Sequence, residues 1–117
     1  MTRDPDCLFC KIAGGEIPSD VVLDRGGVFA FRDINPQAPT HVLLIPKEHV
    51  RDVSALGDSS GPILAELVNA ANELARSEGI GSSGYRLVFN VGPDAGQTVF
   101  HLHLHLLGGR PMSWPPG

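Results

Sequence analysis

His101-Leu102-His103-Leu104-His105-Leu106-Leu107 alternates imidazole and aliphatic side chains with a strict period of two. That period is the mark of a β-strand, whose successive side chains point to opposite faces. The stretch predicts a strand that buries Leu102, Leu104 and Leu106 on one side and presents His101, His103 and His105 on the other. At a rise of about 3.3 Å per residue, consecutive imidazoles stand roughly 6.6 Å apart along the row. One histidine on the polar side of a half-buried strand needs no function. Three in register form a ladder of groups that hold and pass protons near neutral pH. The interleaved leucines also exclude a purification tag, which consists of consecutive histidines.

Outward from this strand the other elements follow. Tyr85 to Val91 reads as a strand, and Gly92-Pro93-Asp94-Ala95-Gly96-Gln97 as the turn-rich loop between the two. From Ile63 to Glu78 the apolar residues Ile63, Leu64, Leu67, Val68, Ala71, Leu74 and Ala75 keep helical spacing. Asp58, Ser59 and Ser60 are its capping candidates, Pro62 sits in its first turn, and Gly79 closes it. Val21 to Leu23 and Val28 to Phe31 form a hairpin across Asp24-Arg25-Gly26-Gly27, and His41 to Ile45 a further strand stopped by Pro46. A short helix capped by Asp6 carries Leu8, Phe9 and Ile12 and ends at Gly14-Gly15. The sum is an α+β fold: a five-stranded antiparallel sheet, one long helix on a face, and a short N-terminal helix.

The chain has 117 residues, 42 % of them hydrophobic, and a formal net charge of −4. That length fits one domain, residues 1–117, with enough apolar content for a core. No Lys/Arg run supplies an electrostatic footprint for nucleic acid or an anionic membrane, so any phosphate binding is local. Met1-Thr2-Arg3-Asp4-Pro5-Asp6 has no apolar leader region, and no stretch approaches the roughly 20 apolar residues of a spanning helix. A cytoplasmic protein is expected. Cys7 and Cys10 form one Cys-x-x-Cys pair, which in a reducing compartment points to metal or redox chemistry.

Three features carry chemistry. The small residues before the histidine row let backbone N–H groups approach an anion, with Gly96 in the loop and Gln97 and Thr98 adding side-chain donors. A neutral imidazole placed there can attack phosphorus and be displaced by water in a second step. Two thiolates from Cys7 and Cys10 need two more ligands to hold zinc, and His41, His49 and one member of the row are the candidates.

With these residues assembled, the chain resembles the histidine triad family, in its nucleotide-binding branch. The resemblance rests on the His-φ-His-φ-His-φ-φ motif at residues 101–107. It also rests on Gly15-Glu16-Ile17-Pro18, on Asp33-Ile34-Asn35-Pro36-Gln37-Ala38-Pro39-Thr40-His41, and on Ile45-Pro46-Lys47-Glu48-His49. Gly96-Gln97-Thr98-Val99-Phe100 and Trp114-Pro115-Pro116-Gly117 complete it. The resemblance implies a homodimer in which two sheets continue into one, and a nucleotidyl-histidine mechanism. It makes His103 the nucleophile, His105 a phosphate contact, His41 part of the proton relay and His101 a support of the row. Gln97 and Thr98 match phosphate and leaving-group contacts. Asp33 matches the ribose-binding carboxylate, Leu8, Phe9, Ile12, Phe31 and Ile34 the walls around the base, and Asn90 a polar contact beside them. It implies one structural zinc per chain on Cys7, Cys10, His49 and His101, and it places Trp114 against the partner subunit.

The expected activity is hydrolysis of purine nucleoside 5′-phosphoramidates of the AMP or GMP type, with a nucleoside monophosphate and an amine as products. A dinucleoside polyphosphate hydrolase is the rival enzyme, and a zinc-stabilised nucleotide sensor or interaction module the rival of another kind.

Overall fold

A computed structural model of the protein describes residues 3–117; Met1 and Thr2, the start of the polar N-terminal stretch, lie outside the described residues. In chain order the elements are α1 (Leu8–Ala13), β1 (Val21–Arg25), β2 (Val28–Arg32), β3 (Thr40–Pro46), α2 (Gly61–Ser77), β4 (Tyr85–Val88) and β5 (Leu104–Gly108). Among the described residues the five strands form one antiparallel sheet in the order β1-β2-β3-β5-β4. No helix there is long and apolar enough to cross a membrane.

The two faces of the sheet have different partners, and the alternation of side chains decides which residue meets which. Ala30, Val42, Leu44, Leu104 and Leu106 point to the face covered by α2, whose Leu67, Ala70, Ala71, Leu74 and Ala75 complete the main core. The intervening residues Phe29, Phe31, Leu43 and Ile45 form a second apolar cluster with Phe9, Cys10 and Ile12 of α1. The leucines of the row belong to the first face, so its histidines belong to the second.

Three local readings of the sequence are corrected. The β5 ladder begins at Leu104, not His101, because Pro46 ends β3 without an N–H to donate; the Leu102 amide bonds to the Val50 carbonyl instead. The N-cap of α1 is Cys7, whose sulfur accepts from the Cys10 amide at 3.4 Å, while Asp6 lies one residue outside the helix. Ser60 stands at the N-cap of α2, yet its hydroxyl accepts from the Gly57 amide and leaves the helix end uncapped by a side chain.

Candidate functional site

His103 and His105 project beneath α1 into a cavity of about 350 Å³, within the range that holds small ligands. Its apolar wall is Leu8, Phe9 and Ile12 from α1, Phe31 from β2, and Ile34 from the loop beyond it. Asp33, Asn90, Gly96 and Thr98 supply the polar part of the rim. The Phe9 ring packs edge-on against His103 with centroids 5.1 Å apart and against Phe31 at 5.4 Å. Leu43 and Val99 also line the cavity and were missed. Leu43 lies two residues beyond His41 on β3, so the period-two rule puts both on one face and could have found it.

Hydrogen-bond partners fix the state of each imidazole. Nδ1 of His103 lies 2.7 Å from the His101 carbonyl, which only accepts. The proton is therefore on Nδ1, and in the neutral ring the lone pair is on Nε2. On the other side the Gln37 amide donates to Nδ1 of His41 at 3.1 Å, so the His41 proton is on Nε2. That Nε2 donates to Nδ1 of His105 at 2.9 Å, which leaves the His105 proton on its own Nε2. His105 Nε2 is buried and has no hydrogen-bond partner among the described residues. A buried N–H left unpaired at the wall of a cavity is a donor kept for a ligand.

Register explains the pairing. His41 lies opposite Leu107 and Leu43 opposite His105, so the two histidines are diagonal neighbours on adjacent strands. Burial pushes the pKa of His105 down to about 4, helped by His103 and His41 and opposed by Asp33. Burial also lowers His41, again opposed by the Asp33 carboxylate. The pair is thus held neutral and acts through oriented N–H groups.

Four amides of the loop before the row, those of Gly92, Ala95, Gly96 and Gln97, are already bonded inside it, the first to the Gln97 side-chain oxygen and the others to Gly92 and Pro93 carbonyls. Gln97 is buried, and its amide nitrogen faces the Arg51 and Val99 carbonyls; it braces the loop and does not line the cavity. Gly96 at φ +86° turns the chain so that Thr98 reaches the rim. Trp114 lies in the tail, 82 % exposed and away from the cavity wall of its own chain.

Behind the cavity, Cys7, Cys10, His49 and His101 bring their ligand atoms within 4.8 Å of one another. Both cysteines are free and buried, and burial raises the Cys7 thiol, opposed by the Cys10 amide and aided by the Cys10 sulfur. His101 is fully buried and donates from Nε2 to the Pro46 carbonyl at 2.8 Å, so Nδ1 turns its lone pair to the sulfurs at 3.3 and 3.5 Å. His49 Nδ1 is 3.5 Å from Cys10 Sγ. Bonds of 2.3 Å to sulfur and about 2.0 Å to nitrogen, at tetrahedral angles, place S and N about 3.5 Å apart. The four residues fit zinc, with the carbonyl-anchored imidazole usual for a metal ligand. Asp33, His41 and His105 also cluster, but the Gln37 amide occupies one nitrogen of His41. A metal on the other would require an imidazolate, so this second cluster does not fit one.

A family model described as "HIT domain" matches residues 14–112. A crystal structure of a HIT family hydrolase from Legionella pneumophila Philadelphia 1 superposes with a TM-score of 0.94 at 55 % identity, covering 96 % of this chain and 100 % of that one. The 14 kDa zinc-binding protein of Zea mays is 48 % identical over 97 % of this chain and 90 % of its own. Adenylylsulfatase HINT1 of Arabidopsis thaliana is 48 % identical over 97 % of this chain and 78 % of its own. With its histidine row at one wall of a cavity and these relatives along nearly its whole length, the chain belongs to the histidine triad (HIT) family, in its HINT-type branch.

Proposed function

We propose that the protein hydrolyses purine nucleoside 5′-phosphoramidates through a nucleotidyl-His103 intermediate. The observation that carries this reading is the pair of complementary nitrogens at the cavity wall: a lone pair on His103 Nε2 beside an unpaired N–H on His105 Nε2. Nε2 of His103 attacks phosphorus, the P–N bond breaks, and the amine leaves with a proton passed from the His41–His105 pair through the Thr98 hydroxyl, a proton that the attacking water gives back in the second step. Water then attacks the phosphorus and the P–His bond breaks, which releases the nucleoside monophosphate and restores the imidazole. His105 Nε2–H stabilises the phosphoryl oxygens, and the His41–His105 pair with the Thr98 hydroxyl serves the leaving group.

In this reading the base lies between the side chains of α1 and those of Phe31 and Ile34, and Asp33 accepts from the ribose hydroxyls. Asn90 stands beside the ribose and phosphate. The name of the Arabidopsis relative, adenylylsulfatase, agrees with an adenylyl group carrying a leaving group. The name of the maize relative agrees with one zinc per chain on Cys7, Cys10, His49 and His101. Cys10 and His101, as ligands of a zinc held there, would tie α1 to the histidine row. A homodimer completes the reading, supported by the place of β4 at an edge of the sheet and by the exposed Trp114.

Rapid quenching with adenosine 5′-phosphoramidate should trap an acid-labile adenylylated protein that His103→Ala does not form. Near-normal turnover by that variant would overturn the mechanism. Slow cleavage of the phosphoramidate beside rapid cleavage of a diadenosine polyphosphate would give the site to the rival activity.

A further inference from the structure

Arg110 lies two residues beyond Gly108, the last residue of β5, and it is exposed. Gly109, at φ +91°, turns the chain as it leaves β5 and packs so closely on Pro39 that a Cβ there would stand 2.9 Å from the proline Cβ. The turn carries the guanidinium over the 33–39 loop. Its Nε and Nη2 both donate to the Gln37 carbonyl, at 3.1 and 2.9 Å, and Nη1 donates to the Pro111 carbonyl at 3.0 Å. Two donors in one plane on one acceptor are a rigid hold that a lysine does not reproduce. The residue so held is the one whose amide donates to His41 Nδ1.

We propose that Arg110 is a positioning residue that fixes the tautomer of the His41–His105 pair, and through it the N–H that the cavity offers to a phosphoryl group. The chain of donors runs in one direction only. While the Gln37 N–H faces Nδ1 of His41, the His41 proton stays on Nε2, His105 accepts at Nδ1, and Nε2–H of His105 faces the ligand. If residue 37 moves away, His41 takes its proton on either nitrogen. His105 is then free to present a lone pair to the cavity, which repels a phosphate oxygen. Asp33, whose Oδ2 lies 3.6 Å from His41 Nε2, does not select the tautomer, because its Oδ1 is tied to the Asn35 amide and its approach to Nε2 is beyond hydrogen-bonding distance.

This assignment rests on the proposed phosphoryl chemistry for its purpose but not for its test. Two-dimensional 1H–15N spectra of 15N-histidine-labelled protein should show His41 and His105 as single Nε2–H tautomers. In Arg110→Ala both should become mixtures, with Arg110→Lys intermediate and circular dichroism unchanged. Binding of AMP should weaken roughly ten- to a hundredfold, as for a lost hydrogen bond to a charged group, while adenosine, which lacks the phosphate, should bind as before. Wild-type tautomers in Arg110→Ala would overturn the proposal whatever the activity. Equal losses for AMP and adenosine would also overturn it, by showing general damage to the pocket. Absence of hydrolysis by wild-type protein, with the tautomer change intact, would count against the catalytic reading alone.

Discussion

The His101 carbonyl oxygen accepts from Nδ1 of His103 at 2.7 Å, while the His101 imidazole faces the sulfurs of Cys7 and Cys10. One residue thus belongs to the Cys–His cluster through its side chain and to the His103 imidazole through its backbone. The tautomer and orientation of the His103 ring are set two residues upstream.

His103→Ala should reduce kcat on the order of 10⁴-fold, as for removal of a group from a catalytic unit. Its thermal stability should change by about 1 kcal/mol or less. The neighbouring Leu104→Ala should behave in the opposite way, costing about 2–5 kcal/mol because Leu104 is fully buried under α2. Parallel denaturation and kinetic measurements on the two variants check the separation. Similar stability losses for both would show that the two faces of β5 are not independent.

Elemental analysis should find about one zinc per chain. Removing it by chelation, or substituting Cys10→Ser, should lower the melting temperature by roughly 10 °C, equivalent to about 2–3 kcal/mol at this chain length. Because Phe9 lies between the two cysteines and forms a wall of the cavity, AMP affinity should fall with the metal. Unchanged melting and AMP binding in metal-free protein would remove zinc from the account.

Acid should destabilise the protein before its carboxylates titrate. His105 has a folded pKa of about 4 against an ordinary 6.5, and His41 is lowered as well. The unfolded chain therefore binds more protons between these values, and stability rises with pH across that window. It should be fully present above about pH 6.5 and be lost progressively down to about pH 4. Urea midpoints measured from pH 7.5 to 4 check this, and His105→Gln should flatten the curve. A midpoint rising as the pH falls would contradict the sign.

Truncation after Arg110 removes Trp114 and the Ser113 carbonyl that accepts from Arg86 at 2.9 Å, but keeps the clamp on Gln37. Discrimination among leaving amines should change more than affinity for the nucleoside monophosphate. Relative kcat/KM across a series of phosphoramidates, in full-length and truncated proteins of the same measured oligomeric state, is the deciding measurement. An unchanged series would remove Trp114 from the substrate pocket.

The fold was legible because its strongest signals are periodic. The leucines at 102, 104 and 106 and the helical spacing from Ile63 each name a face, and both faces are where the pattern puts them. What the pattern could not give is direction within a face. Rings expected roughly 6.6 Å apart stand with centroids at 5.0 Å for His103 and His105, tilted by 61°. His101 turns away altogether to face the cysteines. Which nitrogen bears a proton depends on the Gln37 and His101 backbone, and backbone partners have no residue type to read. Gln97 shows the same limit: its amide suits a phosphate and a loop brace equally in the sequence, and only the structure shows it bonded to the Gly92 amide and the Arg51 carbonyl.

The division of the sheet into two faces also bears on how such a protein diversifies. The main core draws on alternate positions of β3 and β5, while Leu8, Ile34 and Thr98, at the cavity rim, are solvent-exposed and outside both apolar clusters. Substrate preference in this scaffold is free to drift with little penalty to folding, so a library randomised at those three positions should yield mostly intact proteins with divergent tastes in base and leaving group.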